Sequence, residues 1–135
     1  MGAAVQPHIL LVDDEVPILM TYRIIFERQG YRVTAVRSSG EALEAMDHNH
    51  FDLLICDLAL DGSESGLDLV RAARQRESPL PCILLTGYPD PHLPEGARHK
   101  GVQVLFKPVD VPHVLSTVDR LLRRQEENPD SRPAS

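Results

Sequence analysis

The chain has 135 residues, 42% of them hydrophobic and 25% charged, with a formal net charge of −6. That size suits one ordinary domain with a single core, and the acidic balance excludes a basic surface for direct contact with nucleic acid. No run of about 18 apolar residues and no charged segment leading into an apolar stretch with a cleavage site occurs, so no membrane insertion or secretory signal is expected and the expected compartment is cytoplasmic.

Residues 1–7 lack periodicity and are expected to form a flexible tail. The first of five short apolar runs follows, His8 to Asp13, and ends on "VDDE", Val12 to Glu15, where three acids stand side by side. The next segment places Ile18, Tyr22 and Ile25 on one face of a helix, with Pro17 tolerated in its opening turn. Tyr31 to Val36 reads as a second strand, and Ser39 as the N-cap of a second helix. Phe51 to Asp57 is the third strand, Ser65 the expected cap of a third helix, and Pro81 to Thr86 the fourth strand. Pro89, Pro91 and Pro94 then crowd the fourth crossover and leave room only for a short helix from Pro94 to His99. Val102 to Phe106 is the fifth strand, and Val111, Val114, Leu115, Val118, Leu121 and Leu122 form the apolar stripe of the last helix. Residues 125–135 are polar, carry Pro129 and Pro133, and read as a second flexible tail. The expected folded unit is 8–124. Val, Ile and Leu runs alternating with helices predict an α/β three-layer sandwich on a five-stranded parallel sheet, with about five helices, the fourth short or irregular.

In such sheets the functional crevice lies beyond the carboxyl ends of the strands. Asp13 and Asp14 end the first strand, Asp57 the third and Thr86 the fourth, while Lys107 follows the fifth. Clustered carboxylates repel unless a hard cation takes them as ligands, which points to Mg²⁺. Asp57 follows the apolar run Leu53 to Cys56 as a single fixed carboxylate, suited to attack a phosphoryl group and form an aspartyl phosphate. The Lys107 ammonium would then pair with one phosphoryl oxygen and the Thr86 hydroxyl donate to another, and Pro108 restricts the backbone that aims Lys107. Cys56 and Cys82 lie inside apolar runs and read as reduced core thiols. The six histidines include the pair His48 and His50, whose spacing does not share a helix face, so solvated histidines are expected.

"VDDE" (12–15), "LLICDLAL" (53–60), "ILLTG" (83–87) and "FKP" (106–108) stand in the order and spacing of a known family. On these four pieces the chain resembles the receiver (CheY-like) domain of two-component response regulators. The resemblance implies a flavodoxin-like fold with strand order 2-1-3-4-5 and phosphorylation of Asp57 with Mg²⁺ by a histidine kinase or histidine phosphotransfer protein. It implies Asp14 as a direct metal ligand, Asp13 acting through water, Asp57 itself, and the backbone carbonyl of Ala59. Phosphorylation would then switch protein–protein interactions, as in a phosphorelay.

Several residues depart from the family pattern. Asp61 stands where proline is common, and "DGSES" is one residue longer than the usual loop. Val104 occupies the position of the aromatic switch, and Phe106 is expected one pleat out of phase with it. Without that aromatic gate, the segment from Gly87 to Lys100 is the expected carrier of the signal, with Tyr88 as its reporter. An Mg²⁺-dependent phosphatase or phosphomutase working through an aspartyl phosphate is the competing enzyme reading; it requires a second acid two residues after the nucleophile, where this chain has Ala59. A docking-only domain is a third reading, and the intact acids, Thr86 and Lys107 speak against it. The expectation is therefore a signalling domain and not an enzyme in its own right. The polar residues after the last helix are too few for an output domain, so the chain is expected either to act alone or to belong to a longer protein such as a hybrid histidine kinase.

Overall fold

The computed structural model describes residues 6–59, 66–76, 79–87 and 101–127, with side chains as far as 123. Its elements are β1 (His8–Val12), α1 (Val16–Arg28), β2 (Arg32–Val36), α2 (Ser39–His48), β3 (Leu53–Asp57), α3 (Gly66–Arg76), β4 (Cys82–Thr86), β5 (Val102–Phe106) and α4 (Val111–Glu127). The strands form one parallel sheet in the order β2-β1-β3-β4-β5, as expected from the resemblance. Four helices lie among the described residues. The expected Pro94–His99 helix, Ser65, Asp61, Tyr88 and both tails lie outside them, apart from residues 6, 7 and 125–127.

Alternation along the strands builds two cores. Leu10, Val12, Leu54, Cys56, Cys82 and Leu84 face α2 and α3, where Ala42, Met46, Leu69, Val70 and Ala73 meet them. Ile9, Leu11, Leu53, Ile55, Ile83 and Leu85 face the opposite layer, against Leu19 and Phe26 of α1 and Val114, Val118, Leu121 and Leu122 of α4. Strands β1, β3 and β4 are buried throughout, because helices cover both of their faces. Both cysteines are free and buried in the first of these layers, and burial raises both thiol pKa values, that of Cys82 to about 12.

Local signals set the helix ends. Pro17 opens α1, and the Glu15 N–H ahead of it is accepted by Asp13 Oδ1 at 2.9 Å. At the other end, Gly30 N–H donates to Glu27 O and Tyr31 N–H to Phe26 O, a Schellman closure that requires the left-handed φ of +95° at Gly30. The cap of α2 is Ser38 and not Ser39. Ser38 holds the extended backbone, and its hydroxyl accepts the Glu41 N–H at 3.1 Å. Ser39 is already helical, so its hydroxyl is one residue too late for that bond. The solvated reading also fails for His8, which is buried, donates or accepts at Thr34 Oγ1 over 2.7 Å and packs on the Phe51 ring with centroids 4.4 Å apart. His48, His50 and His113 are exposed.

Candidate functional site

The same pleat that sorts the core also gathers the site. Asp57 continues the row of Leu53 and Ile55, which faces α1 and α4. Asp13 lies one step past Ile9 and Leu11, and its N–H still pairs with Val36 O at 3.2 Å. Lys107 follows Leu105 in the same way, its N–H donating to Thr86 O at 2.7 Å. Backbone pairing therefore extends past the strand ends and holds all three residues on one side of the sheet.

Asp13, Asp14 and Asp57 bring one carboxylate oxygen each to within 4.8 Å of one another. Asp13 and Asp57 are buried, with 3% and 5% of their surface exposed, and Asp14 is half-buried. Burial pushes the Asp13 carboxyl pKa up, and the Asp57 and Asp14 charges push the same way; the Glu15 N–H and the Lys107 ammonium pull it back without cancelling the rise. Lys107 Nζ donates to Asp57 Oδ2 at 2.8 Å, and the Ala59 N–H donates to Asp57 Oδ1 at 3.0 Å. Both oxygens of the Asp57 carboxylate are thus aimed by fixed donors. Burial alone would lower the Lys107 pKa, but the hydrogen bond and charge of Asp57, with Asp13 and Glu15 behind it, raise it on balance. The Lys107–Pro108 peptide is cis.

Three acids of this kind around one point suit a hard divalent cation, which prefers carboxylate oxygens and keeps waters in its shell. Backbone oxygen at Ala59 lies in the same loop, next to the amide that already contacts Asp57. Thr86 is buried at the end of β4, in register with Phe106. A groove of about 850 Å³ opens beside these residues. It is lined by Asp57, Ala59, Thr86 and Lys107 on its polar side and by Ile18, Tyr22, Ile25, Val109 and Val111 on its apolar side.

Sequence reasoning placed Asp13, Asp14, Asp57, Thr86, Lys107 and Ala59 around one crevice, and the structure brings them there. It put Ile18, Tyr22 and Ile25 on one helix face and gave that face no further role; all three are half-buried, Tyr22 and Ile25 pack against the core, and together they form one wall of the groove. The phase assigned to Phe106 is corrected. Phe106 stands two residues from Val104, an even offset, so both follow Val102 on the face of α2 and α3. Val104 packs partly against that core, whereas Phe106 is 57% exposed at the strand end. Gly66 was missed altogether, because nothing in its sequence neighbourhood reveals what lies against it.

The family model described as the response regulator receiver domain matches residues 9–119. The phosphoglycerate transport system transcriptional regulatory protein PgtA of Salmonella typhimurium is 34% identical over 118 residues, covering 87% of this chain and 28% of PgtA. An uncharacterized transcriptional regulatory protein of Bacillus subtilis, YkoG, is 31% identical over 87% of this chain and 51% of its own length. The chain thus spans between 28% and 51% of these two relatives. A CheY-like response regulator receiver domain protein from Methanospirillum hungatei, 27% identical, superposes with a TM-score of 0.86 over 92% of this chain and 99% of its own. The acid cluster, the lysine seated on Asp57, the strand order and the match over 9–119 agree, and the chain belongs to the response regulator receiver domain family.

Proposed function

We propose that this receiver takes a phosphoryl group onto Asp57 from a phosphohistidine on a histidine kinase or histidine phosphotransfer protein, with Mg²⁺ as cofactor. The observation that carries the reading is the Asp57 carboxylate held between the Lys107 ammonium at 2.8 Å and two further acids. Asp57 supplies the attacking oxygen. Asp13, Asp14 and Asp57, with the Ala59 carbonyl, would hold the metal, whose positive charge would offset that of the phosphoryl oxygens. Lys107 stays charged across the working pH range and pairs with one phosphoryl oxygen, while the Thr86 hydroxyl donates to another. The groove walled by Ile18, Tyr22 and Val109 admits the imidazole end of the donor. The product is a changed binding surface and not a released compound, so the domain is a signalling element and not a metabolic enzyme.

We assign its output to a protein partner in the cytoplasm. The net charge of −6 disfavours direct contact with nucleic acid. None of the described helices is long and apolar enough to cross a membrane. We take residues 8–124 as the receiver unit. The partial coverage of PgtA favours a second context, in which the same unit serves as the receiver part of a larger regulator or hybrid kinase.

Incubation with a small phosphodonor, with and without EDTA, followed by intact mass measurement, tests the assignment. Wild type should gain one phosphoryl group only with Mg²⁺ present, and Asp57→Asn should gain none. A stable phosphoryl gain on Asp57→Asn would overturn it.

A further inference from the structure

Gly66 opens α3 and is buried, and its N–H donates to the Leu58 carbonyl at 2.8 Å. A Cβ at this position would overlap the Asp57 carbonyl oxygen and would come within 2.8 Å of Leu58 Cα and 3.0 Å of the Asp57 carbonyl carbon. These are backbone atoms, and they have little freedom to yield. Leu58 N–H is itself bonded to Leu85 O at 2.8 Å, which ties the peptide to β4. By contrast, a Cβ at Gly40 or Gly87 would meet nothing within 4 Å.

We propose that Gly66 is a positioning residue for the phosphoacceptor: lacking a side chain, it lets α3 rest directly on the Asp57–Leu58 peptide and so fixes the direction of the Asp57 carboxylate. The inference rests on the proposed role of Asp57. Two connections carry it. The clamped peptide leads straight into Ala59, whose N–H reaches Asp57 Oδ1 at 3.0 Å, and the other oxygen must meet Lys107 at 2.8 Å. Displacing the peptide moves the carboxylate relative to both donors and to Asp13. Phosphoryl transfer depends on such placement, and a shift on the order of 1 Å costs about a hundredfold in favourable cases.

Gly66→Ala is compared with Gly40→Ala and with Leu69→Ala, which loosens α3 at a buried core position by removing atoms and adds none against the Asp57 carbonyl. Three readouts are taken at a temperature where circular dichroism shows the variant folded: backbone amide shifts of Asp57 to Ala59 in EDTA, Mg²⁺ affinity by titration of those shifts, and the rate of phosphate incorporation. Gly66→Ala should displace the three amides without metal, bind Mg²⁺ several-fold more weakly and incorporate phosphate about tenfold more slowly. Gly40→Ala should match wild type, and Leu69→Ala should lose stability while keeping Mg²⁺ affinity. A folded Gly66→Ala with unmoved amides and wild-type affinity overturns the proposal, as does a Leu69→Ala that loses affinity to the same degree. If Gly66→Ala does not fold, the wild-type titration decides: the Gly66 amide must move with the same midpoint as Asp57 and Ala59, and a silent Gly66 overturns the clamp. Failure of wild type to take phosphate would instead overturn the role of Asp57, with the metal-free amide shifts still reporting on the clamp.

Discussion

Asp13 sits where burial and two neighbouring carboxylates all oppose its ionisation, and only the Glu15 N–H and Lys107 favour it. Asn at both 13 and 14 removes two charges and keeps an oxygen for the Glu15 N–H. The double variant should therefore be at least as stable as wild type in EDTA, while losing most of its Mg²⁺ affinity. Thermal melts with and without Mg²⁺ measure both effects, and a clear fall in the metal-free midpoint would mean the pair is structural. These acids were legible in the sequence because each ends an apolar run, where a charge has no place in a core and must face the crevice. Residues that depend on a distant neighbour were not. His8 reads as one more polar side chain, and only the fold supplies Thr34 and Phe51 to bury it. Gly66 follows the expected cap Ser65 with nothing to set it apart, and only the fold lays it on Asp57.

Short elements with strong punctuation were the most readable. All five strands appear within one or two residues of their expected limits, since continuous Val, Ile and Leu runs bounded by polar residues mark buried parallel strands. The cap of α2 was displaced by one residue because two serines stand together, and the choice between them rests on backbone geometry alone. The bond from Glu41 N–H to Ser38, with the Glu41 carboxylate accepting the Arg37 N–H at 2.8 Å, marks which serine matters. Ser38→Ala should lower stability by about 1 kcal/mol, and Ser39→Ala should be close to neutral. Urea unfolding midpoints of the two variants compare them directly; equal losses would contradict the assignment. The outer phase of β5 was misjudged on the parity of the offset. A pleat offset of two returns to the same face, and Phe106 differs from Val104 in exposure because it lies where the strand leaves its cover.

The whole molecule should report on pH through His8. Burial, with the Arg32 charge behind it, lowers the His8 pKa below the ordinary 6.5, and Asp52 and the contact with His50 only partly oppose this. Protonation is thus harder folded than unfolded. The contribution is fully present above pH 6.5 and is lost as pH falls through the lower folded value, because the unfolded chain then binds the extra proton. Urea midpoints should fall as pH drops from about 7 to about 5.5, and His8→Gln should flatten that slope; an unchanged slope in the variant would place the acid sensitivity elsewhere. The strand order has its own consequence for the molecule. With β1 lodged between β2 and β3, the chain leaves β1 toward α1 on one face of the sheet and leaves β3 toward α3 on the other. The two exits part like a split seam, and Asp13 and Asp57 stand together at the ends of the two strands that flank it. The cleft is therefore opened by the winding of the chain, not carved by side chains, so core substitutions can weaken the domain without moving the place where its acids meet.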